Sequence, residues 1–273
     1  MNAFLKTKDS LSDIRILQIS DSHLFASTNE QLVGINTDES FLAIVELAKQ
    51  HSWPPDFIFL TGDLSQDSSN DAYQRLISHL KPLGVSCYVL PGNHDDPEML
   101  RNIFSKPDFL YQPFLHTENW LFAFLNTAIP NEEGGILYEQ EIIELEQQIN
   151  AHPEKNILVC LHHQLQPVNS RWLDTMAVRN PGLLIDLLAR YPNIQGIIHG
   201  HVHQEFTSNI NGTPIYSTPS TCFQFKPNSN DFAIDDTAPG YRWLELGKQG
   251  NIRTSIVRLK KTPDSLDRYS NGY

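Results

Sequence analysis

Residues 56–95 read DFIFLTGDLSQDSSNDAYQRLISHLKPLGVSCYVLPGNHD. The apolar run Asp56 to Leu60 reads as a strand and ends at Thr61-Gly62-Asp63. A second run, Val85 to Leu90, ends at Pro91-Gly92-Asn93-His94. Asp71 to Leu80, between them, reads as a helix. Strand, helix and strand with short connections predict a parallel pair in a central sheet. Each strand stops at side chains of the metal-ligand type.

The same alternation runs outward from this unit. Upstream, Ile14 to Ile19 is predicted as a strand that ends at Asp21-Ser22-His23. Glu39 to Gln50 carries Phe41, Leu42, Ile44, Val45 and Leu47 at helical spacing. Downstream come a strand at Trp120 to Asn126, a Gly134-Gly135 loop and a charged helix at Glu139 to Ile149. A strand at Asn156 to Leu161 then ends at His162-His163. Pro181 to Arg190 reads as a helix with proline at its start, where a missing N–H costs least. Ile194 to Ile198 is a strand ending at Gly200-His201-Val202-His203. Beyond it, Glu205 to Ile210, Thr213 to Ser217, Tyr241 to Leu246 and Ile252 to Leu259 read as strands without helices between them. Asn211-Gly212 is a hairpin signal. The expected class is α/β in four layers (αββα): a β-sandwich of two mixed sheets flanked by helices, with a metal site at the strand ends. Residues 1–260 are expected to form a single domain, and the polar tail 261–273 is expected to be disordered.

Composition narrows the partners. The 273-residue chain is long enough for one large core and has a formal net charge of −12 with pI near 5.3. That balance disfavours long duplex nucleic acid, which requires a basic surface. It leaves room for a small anionic substrate, because metal ions can supply local positive charge. The three cysteines, Cys87, Cys160 and Cys222, form no framework, which points to a reducing compartment. No apolar signal segment follows Met1, and no apolar stretch is long enough to span a bilayer. The expectation is a cytoplasmic protein without a membrane partner.

Five blocks supply seven candidate metal ligands: Asp21, His23, Asp63, Asn93, His162, His201 and His203. Asp, Asn and His suit Zn, Mn and Fe, and no block offers a thiolate. Asp21-x-His23 or Gly62-Asp63 alone is ordinary turn chemistry. Gly92-Asn93-His94-Asp95 and Gly200-His201-Val202-His203 are more telling, because histidines at i and i+2 after a strand and a glycine rarely serve only packing. All five blocks in this order, each at a strand end, read as one binuclear site.

The order D-x-H, G-D, G-N-H-D, H, G-H-x-H resembles the calcineurin-type metallophosphoesterase superfamily. Longer stretches resemble the bacterial class III 3′,5′-cyclic-AMP phosphodiesterases (the CpdA type). These are Thr61 to Asp67, Leu90 to Asp95, Trp172-Leu173-Asp174, Arg179-Asn180, Pro219 to Pro227 and Ala238 to Arg242. The resemblance implies that Asp21, His23 and His203 hold one metal, that Asn93, His162 and His201 hold the other, and that Asp63 bridges them. It implies catalytic roles for His94 and Asp63, and substrate contacts from His23, Asp63, Asn93, His94 and His203. His162, the first residue after the apolar run, is favoured over His163 as ligand. His163 is expected behind the ligands or facing substrate. His199, where the family often has cysteine, is read as structural. Gln164-Leu165 departs from the family's His-Pro and puts the shape of that loop in question.

Physical chemistry supports those roles. Two metals about 3.5–4 Å apart clamp a phosphoryl group and generate a bridging hydroxide at neutral pH. Two divalent ions, the Asp21 and Asp63 carboxylates and that hydroxide leave a surplus of about one positive charge. A third carboxylate in place of Asn93 would cancel it. His94, expected beside Asp95, is placed to protonate the departing ribose oxygen. The predicted activity is hydrolysis of 3′,5′-cyclic AMP to 5′-AMP with two metal ions, iron or manganese before zinc. The rivals are a broader phosphodiesterase or phosphatase on the same scaffold and a catalytically silent scaffold. Asp67 and Asp71 are read as solvating or capping a helix start near Ser69. Phe223 and Phe225 are read as core in preference to base-stacking. Arg171 and Arg179 are open between surface and substrate roles, and Glu139 to Gln148 is read as a solvated helix face.

Overall fold

Strand Phe57–Thr61 is buried along its whole length, and its side chains alternate between two cores. Phe57 and Phe59 pack with Leu158 and Ile198 from a second sheet. Ile58 and Leu60 pack with Phe41, Ile44 and Leu76 from covering helices. Successive side chains of a strand point to opposite faces, so a strand apolar throughout needs cover on both sides.

The structure, a computed structural model, describes residues 13–51 and 53–272. One sheet runs in the order Ile252–Arg258, Gly240–Leu246, Ile14–Ile19, Phe57–Thr61, Ser86–Leu90, Phe109–Leu110, Ser105–Lys106. Its central strands are parallel, with Ile16 opposite Phe57 and Phe59 opposite Tyr88. The second sheet runs Thr207–Ile210, Thr213–Ser217, Ile194–His199, Asn156–Cys160, Trp120–Phe124, Phe114–His116. Here too the central strands are parallel, with Leu158 opposite both Phe122 and Gly196. The sheets face each other across an aromatic core, in which Phe59 meets Phe124 edge-on at 4.9 Å between ring centroids. Helices Thr37–Gln50, Asn70–Leu80 and Pro97–Ile103 cover the first sheet. Glu139–Ala151 and Gly182–Arg190 cover the second. The four-layer αββα plan expected from the sequence is present.

Local chemistry sets the boundaries. Asn36 caps the first helix by accepting the Glu39 N–H at 3.0 Å, and Ser69 caps the second by accepting that of Ala72 at 3.2 Å. Asn211 and Gly212 take φ of 53° and 91° in a two-residue hairpin turn, as their dipeptide predicts. Helix Pro97–Ile103 is an element the apolar pattern does not reveal. Its signal was Asp96-Pro97: Asp96 accepts from the Glu98 and Met99 N–H groups, and proline opens the helix.

The tail departs from expectation. Residues 261–272 fold back on the body, where Leu266 is buried in a cluster with Leu32, Leu173, Val202 and Phe225. Asp267 N–H donates to Val33 O at 2.9 Å. One leucine in a polar stretch has no periodicity to reveal it, yet it finds an apolar seat.

Candidate metal centre

Parallel strands bring their C-terminal ends to one edge, the usual ligand-binding edge of open α/β sheets. Asp21, Asp63 and Asn93 follow Ile14–Ile19, Phe57–Thr61 and Ser86–Leu90 of the first sheet. His162, His201 and His203 follow Asn156–Cys160 and Ile194–His199 of the second. The blocks are stitched together by backbone. Asp21 N–H donates to Gly62 O at 3.0 Å, His23 N–H to Asp63 O at 2.9 Å, and Gly200 N–H to His162 O at 3.1 Å. Across the seam between the sheets, His201 N–H donates to Asp21 Oδ1 at 3.1 Å.

Five ligand candidates sit in left-handed backbone: Asp21 at φ 54°, His23 at 47°, Asp63 at 50°, His201 at 66° and His203 at 46°. Non-glycine residues seldom adopt this region, and each such residue costs on the order of 1–3 kcal/mol, which the surrounding packing must offset. The turns redirect the chain so that successive ligands aim at one volume. Two glycines make the approach possible. A Cβ on Gly62, itself at φ 90°, would lie 2.3 Å from His162 Nδ1, and one on Gly92 would lie 2.1 Å from Asp63 Oδ1.

Hydrogen bonds fix the imidazole tautomers. His162 Nδ1–H donates to Thr61 O at 2.8 Å, and His203 Nδ1–H to Phe223 O at 2.9 Å. His23 Nδ1–H donates to Gln66 Oε1 at 2.6 Å. Each Nδ1 is thereby committed outward and each Nε2 faces inward, the orientation that outer partners impose on metal-bound histidines. His23 Nε2 and His203 Nε2 lie 3.1 Å apart. At that distance a proton or a metal cation must lie between the two nitrogens. Among the described buried polar atoms that make no hydrogen bond of good geometry are Asn93 Oδ1, His201 Nε2 and His162 Nε2, the last with Asp63 Oδ2 3.2 Å away. Buried polar atoms are rarely left so, because each orphan costs on the order of 1–3 kcal/mol. All three atoms belong to the candidate ligand blocks, and their O and N chemistry fits a borderline divalent metal.

The second set, Asp21, His23 and His203, has donor atoms within 4.8 Å of one another, as does the group Asp21, Asp63 and His162. Asp63 lies between the sets, with Oδ2 3.2 Å from His162 Nε2 and 4.0 Å from His23 Nε2. Burial works to raise the pKa of both carboxylates, but His203 beside Asp21 and His162 beside Asp63 hold them below the usual range. Burial alone would depress His162; Asp63 outweighs it and lifts the imidazole to about 9. Burial pushes His23 down to about 3 and His201 well below its ordinary value.

The neighbours sort by contact. His163 has both nitrogens committed: Nε2–H donates to Glu133 O at 3.2 Å, and Nδ1 accepts from Thr127 Oγ1 at 2.8 Å. Its ring atoms come within 4.8 Å of those of His162 and His201, but both of its nitrogens already have partners. His94 donates its backbone N–H to Asp63 Oδ1 at 2.9 Å, and its ring lines the cavity beside the centre. Asp95, expected beside His94, turns its carboxyl to backbone N–H groups. Its carboxyl accepts from Gly92 N–H at 2.9 Å, Leu64 and Ser65 N–H at 3.1 Å, and Tyr73 Oη at 3.0 Å. A carboxylate can only accept, so the open N–H groups of two ligand loops claimed it. Burial and nearby Asp63 raise it to about 6. Neither Asp95's staple nor Gln66's hold on His23 was read from the sequence; their signal was their place in Gly92-Asn93-His94-Asp95 and in the stretch Thr61 to Asp67.

His199 is structural, as read: buried, held to about 4 by burial, with Nδ1–H on Gly200 O at 2.9 Å. Asp67 accepts from Ser69 N–H at 3.2 Å and Ala26 N–H at 2.8 Å, bracing the helix entry as expected. Arg179 pairs with Glu132, and neither it nor Arg171 lines the cavity. Phe223 and Phe225 are core residues, buried to within 2%. Phe225 also stacks on His203, with centroids 4.3 Å apart and planes at 22°.

Comparison with known proteins agrees with this geometry. Residues 14–205 match the family model described as calcineurin-like phosphoesterase. The protein from Escherichia coli strain K12 named 3′,5′-cyclic adenosine monophosphate phosphodiesterase CpdA is 38% identical, over 95% of each chain. Its namesake from Pseudomonas aeruginosa is 36% identical over the full length of both. A dimetal phosphatase from Danio rerio shares the fold, with TM-score 0.61 at 14% identity over 90% of this chain and 99% of that one. Among the described residues, no helix is long and apolar enough to cross a membrane.

Proposed function

The chain belongs to the calcineurin-like phosphoesterase family, and from that premise we propose that it is a phosphodiesterase that opens 3′,5′-cyclic AMP to 5′-AMP. The observation that carries this reading is the identity to the cyclic-AMP phosphodiesterases over nearly the whole chain, tail included. Asp21, His23 and His203 would hold one divalent ion and Asn93, His162 and His201 the other, with Asp63 shared between the two sets. Iron or manganese is the preferred pair, with zinc as the alternative. Once bound, such ions supply Lewis acidity toward phosphoryl oxygens and a water activated at neutral pH.

The chain's own groups do the rest. His23, Asp63, Asn93, His94 and His203 surround the phosphoryl position. His94, facing the cavity, donates a proton to the ribose 3′ oxygen as its bond to phosphorus breaks. Asp95 acts through Gly92, Leu64 and Ser65, holding the Asp63 and Asn93 loops in register. The same reading takes residues 1–260 as one domain acting in the cytoplasm, in keeping with three buried free thiols. The net charge of −12 argues against a nucleic-acid partner.

A substrate panel tests the proposal: purified, metal-analysed protein against cyclic AMP, bis-p-nitrophenyl phosphate and p-nitrophenyl phosphate. The expected result is cyclic AMP turnover with 5′-AMP as product. Monoester hydrolysis with no cyclic-nucleotide turnover would make the protein a phosphatase of the same family.

A further inference from the structure

The cavity beside the metal centre, about 340 Å³, has two chemically different ends. Asn93, His94 and His201 form one. Trp172, Met176 and Phe232 form the other, backed by Phe225. Trp172 and Phe232 are only half-buried, although both are large aromatics. Their geometry is held from behind: Trp172 stands edge-on to Phe225 at 4.7 Å and 89°, and to Phe232 at 5.2 Å and 62°. Phe225 in turn stacks on the ligand His203. One chain of ring contacts thus fixes the aromatic wall relative to the metal donors. Among the described residues no lysine or arginine lines the cavity, and Glu133 is its one carboxylic side chain, so the aromatic end offers faces and edges to a ligand.

We infer that Trp172, Met176 and Phe232 form a nucleobase subsite that binds a planar heteroaromatic base by stacking, while the phosphoryl group sits at the Asn93, His94 and His201 end. This rests on the proposed nucleotide chemistry but assigns residues outside the metal-ligand blocks. The cavity falls in the range of small-ligand sites, about 300–1,000 Å³. Rings already ordered by neighbours lose little side-chain entropy when a ligand docks. Gly272, in the folded-back tail, closes the outer rim.

The test compares two competitive inhibitors that differ only in the base: AMP and ribose 5-phosphate, with bis-p-nitrophenyl phosphate as the reporter substrate. In the wild type, AMP should bind more tightly. Trp172→Ala should raise the AMP inhibition constant by about 5- to 100-fold, the range of one lost stacking contact, and leave ribose 5-phosphate little changed. Phe232→Ala should act in the same direction, and Trp172→Phe should restore most of the AMP advantage. Equal weakening of both inhibitors would make the wall merely structural, and undiminished AMP preference in both alanine variants would place the base elsewhere; either overturns the inference. An absence of cyclic-nucleotide turnover, with the AMP advantage still lost in Trp172→Ala, would sink the proposed function and leave the subsite standing.

Discussion

The two sheets contribute different chemistry to one centre. Strand ends of the seven-stranded sheet carry every oxygen donor, Asp21, Asp63 and Asn93, together with His23. Those of the six-stranded sheet carry only imidazoles, His162, His201 and His203. The first sheet thus sets the charge of the site, and the second adds neutral nitrogens that a proton can block. Asp63, 3.2 Å from His162 and 4.0 Å from His23, is where the two contributions meet.

Breaking that meeting point should have the largest effect. Asp63→Asn removes the shared carboxylate, and several kcal/mol of transition-state stabilisation corresponds to a loss in kcat on the order of 10³ or more. Steady-state kinetics on metal-saturated protein checks this, and near-normal turnover would mean the sheets act independently.

His94→Ala leaves both donor sets intact and removes the proposed acid. The loss with cyclic AMP should be about 10²-fold, and much smaller with bis-p-nitrophenyl phosphate, whose leaving group needs no proton. An equal loss on both substrates would assign His94 to positioning. Gln66→Ala acts only on the first sheet's imidazole by freeing His23 Nδ1–H. A 10- to 100-fold weaker metal affinity is expected, from about the usual cost of losing an outer partner, read by competition with a chelator.

The subtlest difference is protonic. In the metal-free protein His162 titrates at about 9, whereas Asp21 and Asp63 are held below the usual range. A metal needs the His162 Nε2 lone pair, so loading at neutral pH displaces a proton from the second sheet and none from the two aspartates. Metal affinity should therefore fall by about tenfold per unit as pH drops below about 9. Calorimetry in buffers of different ionisation enthalpy reads the released proton, and zero release at pH 7 would contradict the assignment.

Much of this was legible because strand ends announce themselves: an apolar run that stops at Gly-Asp, Gly-Asn-His or Gly-His-x-His marks both the strand and the ligand. The two-sheet plan followed from the alternation of runs. Contacts without a period stayed hidden. Leu266 in the tail and the turn of Asp95 toward backbone N–H groups depend on which open seat or donor the fold leaves. The sequence could name His162 and His163 as rivals; the Thr61 carbonyl on one and the two partnered nitrogens of the other are contacts that no sequence pattern encodes. The aromatic wall joins Trp172 and Met176, four residues apart, to Phe232 in a distant segment, so no single stretch registers it.

Metal stoichiometry of the purified, fully loaded protein tests the two-sheet centre most directly, measured by elemental analysis beside Asn93→Ala. The account predicts two ions per wild-type chain and one in the variant, whose lost oxygen belongs to the orphaned set. One ion in the wild type, or two retained in Asn93→Ala, would contradict it.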